Sequence, residues 1–362
     1  MKNHFQIVGS LLRNSEIKKV IKEKDEITSD VYRPFIKKLV EKEIESGLDV
    51  VTDGEYNRLW WHLDFIFHLN NVIRHHDANY YWKFEGVDAE GDRISAKGIL
   101  GGHGHPFIED YKYLREITPS NIDVKLCIPS PAHASTSFLE DLGSGGETSK
   151  HYTFLNIGDG IINAYKEFLS DFSEAGGKII QFDDCLWETF AKDSGAEKIF
   201  GKIDMNQAFY FIGLNNSVID YAHSLGLKVW AHNCRGNYQS THMVSGAYDD
   251  ISDLFLKGQN YDRFFLEYDS ERSGSLDALR VIANTNKEVV VGLLSSKKPS
   301  LGNEKEVIEK LNYIFTFFDK EKVFLSHQCG FASTHHGNLL TEDEQFEQIR
   351  YGTRIANKVW ND

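Results

Sequence analysis

Cysteine, long apolar runs and positive charge are all scarce in this 362-residue chain. Its four cysteines, Cys127, Cys185, Cys234 and Cys329, are too few and too scattered to staple a chain this long, which excludes a disulfide framework. In a reducing compartment, a Cys near His and carboxylates reads better as a metal ligand or nucleophile. No apolar run approaches the roughly 18–20 residues that span a bilayer. The first residues, Met1-Lys2-Asn3-His4-Phe5-Gln6, have no apolar signal core, so the expected location is the cytoplasm. Lys and Arg number 40 against 54 Asp and Glu, a net charge of −14. That balance excludes nucleic acid as a partner, which needs a basic face. It equally excludes docking on an anionic membrane.

What is present is a globular composition: 41% apolar, 26% charged and 13% aromatic residues. Eight short apolar runs, at 5–9, 50–52, 124–128, 178–182, 228–231, 263–266, 288–294 and 322–326, read as strands buried on both faces. Helical spacing of apolar residues recurs between them, for example at 34–46, 304–318 and 342–360. Small turns such as Ala175-Gly176-Gly177 and Leu225-Gly226-Leu227 fit helix ends before the next strand. The expected fold is α/β: a single (β/α)8 TIM barrel using residues 1–362 as one domain. An insertion at about 69–120, with Tyr80, Tyr81, Trp82 and Phe84 followed by a Gly-rich turn, reads as a β-hairpin between the second and third strands. Residues 132–156, with Gly143, Gly145 and Gly146, read as an irregular mobile loop.

A TIM barrel carries its chemistry at the C-terminal ends of its strands. There this chain places Gly9-Ser10, Asp53-Gly54-Glu55, Ser130, Asp183-Asp184, His232-Asn233-Cys234, Glu267-Tyr268-Asp269, Lys297 and His327-Gln328-Cys329. In His-x-Cys the two side chains are one strand alternation apart, so both can face one point. With Glu267 and Cys329 at other strand ends, His232 and Cys234 complete a thiolate–imidazole–carboxylate set suited to zinc. Asp269 competes with Glu267 for the carboxylate position. Asp53, Glu55, Asp183 and Asp184 form an acidic group at the same mouth, able to hold a substrate ammonium. Cys127 reads as core. Cys185 could line the pocket, but reads as a small buried hydrophobe. Trp60, Trp61 and His62 read as packed insertion core, and His103, His105, His335 and His336 as loop residues.

Ile7-Val8-Gly9-Ser10, Asp53-Gly54-Glu55, Gln181-Phe182-Asp183-Asp184, His232-Asn233-Cys234 and Gln328-Cys329-Gly330 occur in this order along the chain. Together they resemble the C-terminal catalytic barrel of cobalamin-independent methionine synthase, and most closely its short single-barrel relatives. The resemblance covers essentially the whole chain. It implies zinc-dependent methyl transfer to a thiol, homocysteine giving methionine, from methyl-tetrahydrofolate or another methyl carrier. It assigns zinc to His232, Cys234, Glu267 and Cys329, and the amino-acid thiol to Gly9, Ser10, Glu55 and Asp183, with Asp184 beside them. Asp183 and Lys297 are the implied catalytic groups. Lys297 falls where the two-barrel enzyme has a His that relays a proton to the leaving nitrogen, and Ser130 where it has a Trp near the pterin. Alkyl transfer involving another thiol such as coenzyme M, and a non-catalytic metal or amino-acid binding protein, are the competing readings. A monomer and a homodimer are both compatible with an acidic single barrel.

Overall fold

The computed structural model describes residues 3–23, 29–197 and 204–361. In chain order its strands are β1 (Val50–Val51), β2 (Asn70–Phe84), β3 (Val87–Gly101), β4 (Asp123–Pro129), β5 (Ile179–Asp183), β6 (Lys228–Asn233), β7 (Arg263–Glu267), β8 (Glu288–Leu294) and β9 (Val323–His327). Seven of them form one curled parallel sheet, ordered β1-β4-β5-β6-β7-β8-β9. β2 and β3 pair separately as an antiparallel hairpin. Side chains alternate across a strand. Val50, Ile179, Trp230, Phe265, Val290 and Phe324 therefore gather with Val8 into one small cluster. Their chain neighbours Val51, Ile180, Val229, Phe264, Val289 and Leu325 join the main core.

The strand expected at 5–9 is a single parallel bridge, Phe5 to Leu325. The cause is competition for its carbonyls. Buried Lys125 donates from Nζ to the carbonyls of Ile7 and Val8, at 2.7 Å each. Gln181 Nε2 donates to the Val8 carbonyl at 2.9 Å. The segment is nevertheless held on both sides. The Gln6 amide donates to the Leu325 carbonyl at 2.9 Å, and Thr52 Oγ1 donates to the Gly9 carbonyl at 2.8 Å.

The region expected as one insertion divides in two. β2 and β3 turn through Glu85-Gly86, with Gly86 at φ +76°, so the turn lies ahead of the glycines at 98–104. Gly102 instead marks a close approach: a Cβ there would lie 1.9 Å from the Ala164 carbonyl oxygen. Pro106–Ile117 is an ordinary helix leading into β4, capped by the His105 side chain, which accepts from the Phe107 amide. The loop expected at 132–156 is also corrected. Pro131–Gly143 is a helix, because Ser130 caps it and Pro131 occupies its first position. The glycines there terminate the helix rather than dissolve it. Ser29–Glu45, Glu304–Phe315 and Glu342–Asn361 are helices over the expected helical stretches. Among the described residues, no helix is long and apolar enough to cross a membrane.

Candidate functional site

Strand register brings the polar residues together. Asp183, the last residue of β5, pairs with His232 on β6, so both side chains leave the sheet on the same side. His232 Nδ1 meets Asp183 Oδ1 at 3.1 Å, and Gln181 Nε2 holds that same oxygen at 2.8 Å. Nε2 of His232 is buried and has no hydrogen-bond partner among the described residues. Cys234 Sγ lies 3.7 Å from Cys329 Sγ and 3.6 Å from Cys185 Sγ. Cys185 Sγ is also 4.0 Å from His232 Nδ1. One ligand atom each from Cys185, His232 and Cys234 falls within 4.8 Å of the others.

The three thiols share hydrogen bonds that favour ionisation within the cluster. Hydrogen bonding with Cys185 and with Cys329, whose thiol donates, pushes Cys234 well below the usual thiol range, against the cost of burial and with help from His232. Burial alone would lower His232, but its bond to Asp183 and the negative charge of neighbouring Cys234 outweigh burial and raise it to about 10. Such a group can hold a soft metal ion. In a tetrahedral shell with metal–sulfur bonds of about 2.3 Å, adjacent sulfurs sit about 3.8 Å apart; the two sulfur pairs here span 3.6 and 3.7 Å. A partnerless imidazole nitrogen opposite a carboxylate-held one is also the usual arrangement of a metal-bound His.

Glu267, the last residue of β7, is fully buried and held from both sides. Its Oε2 accepts from the Arg235 amide at 3.0 Å, and its Oε1 from Arg272 Nη2 at 3.1 Å. The alternative carboxylate, Asp269, lies 3.7 Å from the same Arg272. Burial raises Asp269 above the ordinary carboxylate range, and Glu267 adds to the effect.

A second group adjoins the first. One ligand atom each from Glu55, Cys127 and Asp183 falls within 4.8 Å of the others, so Asp183 belongs to both. Glu55 is a non-glycine residue at φ +60°, a strained conformation that persists only where the surroundings impose it. Its amide donates to Asp53 Oδ1 at 2.8 Å, and Arg13 Nη2 donates to its carbonyl at 2.6 Å. Burial raises the Glu55 carboxyl to about 7, opposed by Arg58 and reinforced by Asp183. Gly9 closes this pocket: a Cβ there would stand 2.8 Å from Cys127 Sγ and 3.3 Å from Glu55 Oε1. Ser10 packs against the loop after β9, where a Cβ on Gly330 would fall 2.0 Å from Ser10 Oγ.

Two other expected residues lie differently. Asp184 is turned into the packing beneath the mouth. Its Oδ1 accepts from Ser130 Oγ at 2.6 Å, and its Oδ2 from Trp187 Nε1 at 2.7 Å and Asn215 Nδ2 at 2.9 Å. Both oxygens are therefore taken, and the residue is fully buried. Lys297 reaches the Gly236 carbonyl at 2.9 Å, and its charge acts on Cys329 and Asp269. Trp60 and His62 pack on Trp82 of the hairpin, with ring centroids 5.4 and 5.2 Å away. His133, 4.7 Å from Trp61, continues this aromatic wall and feels the charges of Asp183 and Cys234. Cys185, expected chiefly as a small buried hydrophobe that could line the pocket, sits in the cluster beside Cys234. The available signal was its spacing, one alternation beyond Asp183, the same spacing that pairs His232 with Cys234.

No protein-family model matches the chain. An uncharacterized Bacillus subtilis protein, YxjH, is 36% identical over 362 residues, with 98% of this chain and 93% of that protein covered. A solved structure from Listeria monocytogenes, provisionally described as a vitamin-B12-independent methionine synthase, superposes with a TM-score of 0.75 at 26% identity, over 99% of this chain and 98% of that one. The 5-methyltetrahydropteroyltriglutamate–homocysteine methyltransferase of Thermotoga maritima is 22% identical over 364 residues, covering 97% of this chain and 44% of that enzyme.

Proposed function

The chain belongs to the family of cobalamin-independent methionine-synthase-like proteins, and on that premise we propose that it is a zinc-dependent methyltransferase that converts homocysteine to methionine. The observation that carries this reading is the meeting of His232 with Cys234, and of Cys234 Sγ with Cys329 Sγ at 3.7 Å. It combines a partnerless imidazole nitrogen with sulfurs at a tetrahedral spacing. His232, Cys234 and Cys329 would hold zinc, with Glu267 as the carboxylate the family resemblance adds. Bound zinc lowers the pKa of a coordinated thiol and keeps it nucleophilic at neutral pH. Residues 4–9 take the place of an eighth strand in the proposed barrel, which we read as one domain.

Glu55 and Asp183 bind the substrate ammonium and so aim its sulfur, with Gly9 and Ser10 shaping the floor beneath. Asp183 also fixes the His232 ring through Nδ1. Lys297, close enough for its charge to act on Cys329, is placed to neutralise an anionic carrier or to protonate its leaving atom. The carrier is methyl-tetrahydrofolate or another methyl donor, and the aromatic wall of Trp60, Trp61 and Trp82 offers it a flat surface. We place the reaction in the cytoplasm, in a monomer or homodimer.

The test is methyl transfer in vitro. Zinc-loaded protein, L-homocysteine and a panel of methyl carriers are expected to yield methionine with at least one carrier, and none after chelation. Transfer to coenzyme M with none to homocysteine would replace the acceptor. No transfer to any thiol would leave only a binding protein.

A further inference from the structure

Resting on the reading of Glu55 and Asp183 as the ammonium pocket, we propose that Lys125 is a positioning residue of that pocket: it fixes the Gln181 side chain, which in turn holds Asp183 ready for the substrate's amino group. Lys125 lies on β4 and is fully buried. Its Nζ donates to the carbonyls of Ile7 and Val8 at 2.7 Å each and to Gln181 Oε1 at 2.6 Å. All three ammonium protons are thereby used, and none of these bonds goes to a carboxylate. Burial lowers the group to about 8, so it is charged at neutral pH. Taking an ammonium out of water is costly. A methionine of similar length would fill the same space without that cost, so packing alone does not account for the lysine.

The buried ammonium sets the direction of an amide. Gln181 Nε2 donates one proton to the Val8 carbonyl at 2.9 Å and the other to Asp183 Oδ1 at 2.8 Å. Turned over, the amide would bring its own NH2 against the Lys125 ammonium and its oxygen against the Val8 carbonyl and the Asp183 carboxylate. Lys125 therefore excludes that orientation. His232 Nδ1 meets the same Oδ1 at 3.1 Å, so both partners converge on one oxygen and leave Oδ2 for the substrate. The same ammonium ties down Ile7 and Val8, which lead directly into Gly9 and Ser10 on the floor. Lys125 itself touches no substrate. It lies behind Gln181, 4.2 Å over the Phe265 ring.

Calorimetry on the zinc-loaded protein tests this, with L-homocysteine and its analogue lacking the amino group as the two ligands. The readout is the ratio of the two affinities, because a general loosening of the fold weakens both thiols alike. The wild type should prefer homocysteine. Lys125→Met should lower that preference at least about tenfold, the lower end of what losing a hydrogen bond to a charged group costs, and so should Gln181→Leu. The double variant should lose no more than the worse single variant, because Lys125 acts through Gln181. An unchanged preference in Lys125→Met, or a double loss equal to the product of the two single losses, would overturn the role of Lys125 and leave the pocket reading intact. A wild type with no preference for the amino group would overturn both. Should Lys125→Met fail to fold, Gln181→Leu decides: a lost preference supports the arrangement and an unchanged one overturns it.

Discussion

Cys329→Ser is expected to lose zinc and to reduce methyl transfer at least about a thousandfold while the protein stays folded. The size of the effect follows from thiol chemistry. A free thiol with a pKa of about 8.5 is only a few per cent thiolate at neutral pH, so losing activation alone costs a factor of about thirty. Losing the fixed position of the reacting sulfur adds the larger share. The fold is spared because Cys329 follows β9 at the mouth. Its side chain meets Cys234 at 3.7 Å and Ser333 Oγ at 3.9 Å, contacts that a serine at 329 leaves largely undisturbed. Zinc content by atomic absorption, methionine formation and melting temperature are the three readouts. A folded variant that keeps both full zinc and full activity would remove Cys329 from the site.

Glu55→Gln is expected to weaken homocysteine binding by about 10–150-fold, the range for deleting a hydrogen-bonded charge from an ion pair, with zinc content unchanged. The pH dependence carries a second signature. Only the ionised Glu55 attracts an ammonium, and its carboxyl sits at about 7. In the wild type KM should therefore rise about tenfold per pH unit below 7, and in the variant that rise should vanish. Stability moves the other way. The folded value of about 7 lies above the ordinary 4.5 of the unfolded chain. The folded protein thus holds a proton that the unfolded chain has released, and the wild type loses stability as pH rises from about 4.5 to 7. Glutamine carries no such charge. The variant should be more stable than wild type by about 3 kcal/mol at pH 8 and no more stable at pH 4. Unchanged KM at every pH would take Glu55 out of the substrate pocket. A variant no more stable at pH 8 would instead mean that Arg58 already balances the buried charge.

Much of this arrangement is legible in the sequence. The runs that became β4 to β9 are continuous and apolar because both faces of a parallel sheet are covered. Their polar terminal residues, from Asp183 to His327, then mark the mouth. The His-x-Cys spacing anticipated that His232 and Cys234 would meet. The segment at 5–9 was misread for a physical reason: its apolar pattern is that of a strand, but Lys125 and Gln181 capture its carbonyls, and nothing in the run itself encodes that competition. Residues 132–156 differ from the expected loop because Ser130-Pro131 begins a helix that the glycines only terminate. Asp184 shared the acidity of its neighbour, yet adjacent residues at a strand end face opposite ways. Cys185 by itself reads as a small apolar residue, because its relation to Asp183 and His232 is a matter of strand register.

Zinc-activated methyl transfer requires that the substrate's own sulfur reach the metal. Zinc X-ray absorption with L-selenohomocysteine tests this most directly, because selenium is distinguishable from every sulfur the protein contributes. A zinc–selenium contact should appear when the analogue binds to the wild type and should be weakened in Glu55→Gln at the same analogue concentration. Analogue that binds tightly while the zinc shell stays free of selenium would contradict a metal-activated thiol and return the cluster to a structural role.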